Sequence, residues 1–272
     1  MKNQVFPSIL AFIISLSIYS QDKDETIFIK KNKIDLTATP SESILKIAKS
    51  FLETPYVAST LEINEKEELV CNLQVLDCFT FDENVLALYL TKKKNSNSYS
   101  DFQEILTQLR YRNNKIDGYG SRLHYFTEWT RQAEKNGWIK DITLDIGGEI
   151  TNKEVHFMSE NQKLYPKITD EKTLETIRGT EKQINKKPLS QIEKSKVAAI
   201  ENKIMEGDLI AMTSTIEGLD CNHVGIAILV NGRIHLLHAS SSLKKVVISE
   251  KPLADYLQGI KKDAGIMILR VL

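Results

Sequence analysis

The sequence predicts an α+β fold with an antiparallel sheet, and three observations lead there. Helical periodicity dominates the first third of the chain. A long, charged and weakly patterned middle follows. The last third reads as antiparallel strands, with Asn231-Gly232 between two apolar runs. That dipeptide is a strong hairpin signal, because a type I′ turn needs positive φ at both central positions. Helices first and strands afterwards is the α+β order rather than an alternating α/β one.

Taken in order, residues 1–20 carry one lysine, an apolar uncharged run and a small residue, Ser20, before "QDKDE". This is the layout of a secretory signal peptide cleaved after Ser20. The apolar run falls short of the roughly 20 residues needed to span a bilayer, so no membrane insertion is expected after cleavage. No cysteine stands near the cut to carry a lipid. Residues 21–272 are read as a single domain. Its first helix begins at Pro40 and Ser41, places apolar residues at 44, 45, 47, 48, 51 and 52, and stops before Pro55. "EELVCNLQVL", 67–76, alternates like a strand. Residues 80–90 show helical spacing, with Phe81, Val85, Leu88 and Tyr89 on one side and Asp77 as N-cap. "DFQEILTQLRYR" is amphipathic. Residues 92–190 contain an insertion or cap on the core, and short strands are expected around "EVHFM". "AGIMILRVL" is a closing strand.

The chain of 272 residues carries 36 basic and 36 acidic side chains. With no basic excess, nucleic acid is not an expected partner. Three cysteines, Cys71, Cys78 and Cys221, are an odd number. In an exported protein at least one stays free or pairs between chains. A Cys71–Cys221 disulfide that leaves Cys78 free is one arrangement.

Cys78 sits where strand-like and helix-like runs meet. In the first turn of a helix, the dipole and unpaired N–H groups favour a thiolate, the useful nucleophile. The alternative is a buried cysteine acting as a small hydrophobe. The hairpin adds weight to the first reading. With a two-residue turn, Val230 faces Arg233, Gly225 faces His238 and His223 faces Ser240. His223 and His238 then share one face as diagonal neighbours, while His235 points to the other. One imidazole can act as base and the other can orient it, which completes the logic of a catalytic triad. Zinc held by Cys78, Cys221, His223 and His238 is the rival, but the spacing matches no compact zinc motif. No metal and no cofactor are expected. "RLHYFTEW" gathers Arg122, His124, Tyr125 and Trp129, either as a packed helix start or as a surface for a sugar ring and carboxylates.

The blocks "TPYVASTLE", "LDCFTFDENVLAL", "SRLHYFTEW", "GDLIAM" and "GLDCNHVGIAI…HLLHASS" resemble the NlpC-like superfamily of papain-fold bacterial cell-wall cysteine hydrolases. More closely, they resemble its branch of N-acetylmuramoyl-L-alanine amidases. The matching blocks span residues 44–90, 119–148 and 172–242. The resemblance implies a papain-like core, its nucleophile helix packed on an antiparallel sheet. It implies Cys78 as nucleophile, His223 as base and His238 as third member. It also implies that Tyr56 lines the site and that Asp77, besides capping, contacts substrate. Peptidoglycan or a muropeptide is the implied substrate and the periplasm the implied location. The amidase branch cuts between the lactyl group of N-acetylmuramic acid and L-Ala. Commoner members cut the stem peptide between D-Glu and a diamino acid, and an inactive peptidoglycan binder could keep the same fold. Phe79 and Asp82 depart from the pattern around the nucleophile. Asp82 is expected to point to solvent, since facing the thiol it would oppose thiolate formation.

Overall fold

The computed structural model describes residues 23–272. The expected signal peptide, 1–20, lies outside them. In chain order the elements are α1 (23–32), α2 (Pro40–Lys49), α3 (Cys78–Lys93), α4 (Tyr99–Arg110), α5 (Phe126–Lys135), β1 (Ile139–Asp141) and β2 (Glu149–Thr151). Then come α6 (Phe157–Glu160), α7 (Glu171–Ile184), β3 (Leu189–Glu193), α8 (Val197–Ile200), β4 (Leu209–Ser214), β5 (Cys221–Val230), β6 (Arg233–Ser240), β7 (Lys245–Ile248), α9 (Leu253–Gln258) and β8 (Asp263–Val271).

The strands form one eight-stranded antiparallel sheet in the order β2-β3-β8-β4-β5-β6-β7, with β1 also pairing β8. Strand alternation sends successive side chains to opposite faces. Ala211, Val224, Ile226, Ile228 and Leu237 meet α2, α3, α4 and α5 on one face. Ile210, Met212, Ala227, Leu236 and Ile268 meet α8 and α9 on the other.

α3 is the centre of the first face. The one-sided apolar stripe expected from its spacing is not what is found: every residue from Thr80 to Thr91 is buried. Neighbours surround it, with α2 and α4 on its flanks and β5 beneath. Its polar residues therefore need partners inside. Glu83 is wholly buried and pairs with Arg110, whose Nε and Nη2 lie 3.0 and 2.9 Å from Glu83 Oε2. Arg110 Nη1 also donates to the carbonyl of Val70 at 2.5 Å. Asp82 corrects the expectation of a solvent-facing carboxylate: it is 1% exposed and, among the described residues, neither carboxyl oxygen has a hydrogen-bond partner. Burial, with the charge of Glu83 beside it, pushes its pKa well above the carboxylate range.

Residues 67–76 alternate like a strand yet form none. Side chains take the backbone donors that a ladder would use. Asp24 accepts from Leu73 N at 2.7 Å, and Asn72 Oδ1 accepts from Gln74 N and Val75 N at 3.0 Å each. Only Leu76 makes a bridge, with Tyr56. The segment "EVHFM" is likewise not a strand pair: Val155 forms one bridge to Gly218, and α6 begins at Phe157. Within 92–190 the two parts pack differently. Phe102, Ile105, Leu109 and Trp129 belong to the main core, whereas Val155, Met158, Ile177 and Ile184 form a smaller cluster with Tyr125 and Leu189.

Replacing Glu83 by Ala leaves the Arg110 guanidinium buried and unpaired. Denaturant unfolding is expected to show a loss of about 3–5 kcal/mol; a loss under about 1 kcal/mol would remove the pair as a determinant of α3.

Candidate active site

Asp77 opens α3 as its N-cap. Its Oδ1 accepts from Thr80 N at 2.8 Å, while Thr80 Oγ1 accepts from Asp77 N at 2.9 Å, a reciprocal capping box. Cys78 is thereby the first helical residue. Tyr56 is brought alongside by two bonds between neighbouring segments, Val57 N to the Leu76 carbonyl and Leu76 N to that of Pro55, each 3.0 Å. The Tyr56 hydroxyl is raised in pKa by burial, and then by the charges of Cys78 and Asp77.

The opposite wall comes from the hairpin. Asn231 and Gly232 have φ of 50° and 80°, as a type I′ turn requires, and Val230 pairs with Arg233. The β5–β6 ladder runs back from there to Ile226 and Leu237. Gly225 lies next, and a Cβ there would stand 2.8 Å from His238 Cβ. Glycine is thus what lets His238 cross over β5. His223 Nε2 and His238 Nδ1 are 2.6 Å apart, with the rings edge to face at 4.8 Å and 87°. His235 points to the other face, where its Nδ1 meets the Ser249 carbonyl at 2.8 Å.

Cys78 and His223 line one cleft of about 180 Å³. Phe79 joins them from α3, His124 from just before α5, Phe126 from its first position, and residues 219–224 from the loop before β5 and its start. Cys78 is half-buried, and its pKa is pushed up to about 12. Burial is the main cause, followed by Asp77; Asp82 adds to it, while the N–H groups of Val224 and Phe79 work the other way. Burial thus works against the thiolate that the helix start favours, and holds Cys78 toward the neutral thiol. His223 is pulled down to about 3 by burial, then by His238 and Lys262; His238 is pulled down to about 4 by burial. All three groups rest neutral at pH 7.

The structure separates the "RLHYFTEW" residues. His124 reaches the cleft, where its Nε2 bonds the Tyr119 carbonyl at 2.8 Å. The other three do not line this cleft and have partners inside the protein. Arg122 is buried and spends its guanidinium on Glu62 and Glu67, at 2.6 and 2.7 Å. The Tyr125 hydroxyl donates to Glu181 at 2.7 Å and accepts from Met158 N at 2.8 Å. Trp129 is 1% exposed, stacked on Phe126 and edge-on to Phe79. That cluster also accounts for Phe79 beside the cysteine. All three cysteines are free, so Cys71 and Cys221 are not joined. Among the described residues no group of three or more His, Cys, Asp or Glu side chains could hold a metal ion.

Asp220 was not legible as part of this region. It is buried, and its two oxygens accept from Thr127 N and Cys221 N at 2.8 Å each. α5 has no capping side chain of its own at Tyr125. Asp220 supplies that acceptor from just before β5 and so ties the two walls of the cleft. The signal available in the sequence was a helix start lacking Ser, Thr, Asp or Asn.

Compared with known proteins, the molecule falls in the class of amidase-like hydrolases. Residues 46–266 match the AmiA-like family, described as N-acetylmuramoyl-L-alanine amidase-like, and the chain belongs to that family. A crystal structure of an N-acetylmuramoyl-L-alanine amidase from Bacteroides uniformis is 37% identical, with a TM-score of 0.79 over 85% of this chain and 98% of that one. A Bacteroides fragilis structure that carries the working name of a xylanase is 36% identical, with a TM-score of 0.76 over 82% and 98%. A Legionella pneumophila protein at 23% identity and a TM-score of 0.72, over 95% and 96%, shares the fold. No curated protein matches the chain.

Gly225→Ala is expected to displace His238, destabilising the fold by about 1–3 kcal/mol and abolishing turnover. Thermal unfolding together with kcat/KM checks it, and a variant with full activity would show that the close approach is dispensable.

Proposed function

We propose that the protein is a cysteine-dependent amidase that hydrolyses the N-acetylmuramoyl-L-alanine bond of peptidoglycan fragments. The observation that carries this is Cys78 and His223 lining one cleft, with His238 hydrogen-bonded behind His223. When His223 donates its Nε2 proton to His238, its Nδ1 keeps a lone pair as the base. Cys78 attacks the amide carbonyl and passes its proton to that nitrogen in the same step, so a resting thiolate is not required. Backbone N–H groups at the start of α3 steady the oxyanion. His223 then protonates the leaving amine of L-Ala, and water resolves the thioester. Tyr56, whose hydroxyl feels the charge of Cys78, and Asp77, next to Cys78 in the chain, are the substrate contacts of this reading on a papain-like core. No cofactor takes part.

The glycosidase suggested by one relative's name fits less well. Such chemistry needs two carboxyl groups across the scissile bond. The lining of this cleft holds one carboxylate, Asp220, and both its oxygens are committed to backbone N–H groups. Reading the apolar segment 1–20 as an export signal supports a periplasmic location. Among the described residues no helix is long and apolar enough to cross a membrane.

Mass spectrometry of muropeptides incubated with the protein and with Cys78→Ala tests the reading. Free stem peptide beginning at L-Ala is expected from the first and not the second. Cleavage inside the stem would make it an endopeptidase, and no product from either would make it a binder. The pH dependence is a separate check. Activity is lost as pH falls through the pKa of His238, so the acid limb of kcat/KM is expected near pH 4 rather than at the ordinary histidine value of about 6.5. Iodoacetamide should alkylate Cys78 with a pH midpoint above that of a free thiol, about 8.5; a midpoint near 6 would point to a thiolate–imidazolium pair instead.

A further inference from the structure

We propose that Tyr256, on α9, is a positioning residue for this cleft: its ring covers His238 and keeps that imidazole available as the acceptor for His223. The inference rests on the catalytic reading above. Tyr256 is half-buried, and its ring stands edge to face with His238 at 5.6 Å and 74°. His223 stands edge to face on His238 in turn, at 4.8 Å. The three rings form a row that starts on α9, passes through β6 and ends on β5. The contact is made by the ring, since no hydrogen bond joins the Tyr256 hydroxyl to either imidazole among the described residues. His238 is 2% exposed. Its strand neighbours add no charge: Val247 pairs with it from β7, and Gly225 lies against it from β5. The ionisable groups around the row are His223 and Tyr256 themselves, Lys262 acting on His223, and Cys78 and Asp263 acting on Tyr256.

The chemistry gives the ring its consequence. His238 Nδ1 accepts the His223 Nε2 proton only while His238 is neutral. A protonated His238 must donate instead. His223 Nε2 then becomes the acceptor, its own proton moves to Nδ1, and the base is lost. Keeping water off His238 disfavours that protonated form. Removing the ring hydrates His238 and lets it charge at higher pH.

The test compares the protein with Tyr256→Phe and Tyr256→Ala, with Tyr256→Leu as a second deletion of the ring if the alanine variant does not fold. Imidazole NMR titration reads His238 directly, and kcat/KM on a muropeptide reads turnover. Tyr256→Phe keeps the ring and should hold both midpoints. Tyr256→Ala should raise the His238 midpoint by about one pH unit or more. With a rise of about one unit it should lower kcat/KM about twofold at pH 5 and about fivefold at pH 4, with KM little changed, while staying within about threefold at pH 7.5. An unmoved His238 midpoint in the ring-less variants overturns the proposal. So does a Tyr256→Phe variant as impaired as Tyr256→Ala, because the hydroxyl would then be the acting group. A His238 midpoint that shifts in a protein with no muropeptide turnover upholds the role of Tyr256 and overturns only the amidase reading.

Discussion

The burial of α3 on every side is the constraint on which the rest depends. A helix with no solvent face has to place its own polar residues, and this one carries Asp82, Glu83 and Asn84 in a row. Glu83 takes Arg110 from α4, and Asn84 donates to the Asn72 carbonyl at 3.1 Å. These bonds draw α4 and the 67–76 segment against the helix. The Asp77 box then sets where the helix begins, and so where Cys78 stands.

The cleft is electrically quiet. A helix N-terminus contributes about 0.3–1 kcal/mol, and up to about 2 in favourable sites, toward an anion. Each tenfold change in acidity corresponds to about 1.4 kcal/mol. With Cys78 carried from 9.0 to about 12, burial and the two nearby aspartates outweigh the dipole. The same burial holds both histidines neutral. On the proposed reading, such a site moves a proton during reaction rather than storing charge before it.

What could be read from the sequence was local. The turn at Asn231-Gly232 is set by two residues, and strand periodicity then puts His223 and His238 on one face. Asp77 as a cap is likewise a short-range fact. What could not be read depends on distant partners. Arg122 looks free to bind substrate until Glu62 and Glu67, far back in the chain, close around it. Asp82 looks like an ordinary exposed first-turn acid until α3 is seen to have no outside. The 67–76 segment alternates as a strand does, and only the side chains of Asp24 and Asn72 divert its donors. α7, β7 and α9 carry no clear pattern of their own, because short or heavily charged segments take their shape from what they pack on.

The position of β8 bears on how the molecule comes into being. It lies between β4 on one edge and β3 and β1 on the other. It is also made after every other strand. Until residues 263–271 have emerged, β1 and β4 have no strand between them and β3 is separated from β4, so the sheet exists only as fragments. The hairpin of β5 and β6 can form earlier, but the sheet behind it closes only when residues 263–271 pair with β4. Cys78, made long before residues 219–224, lacks the opposite wall of its cleft until they have emerged, and until then is a thiol open to oxidation and mispairing.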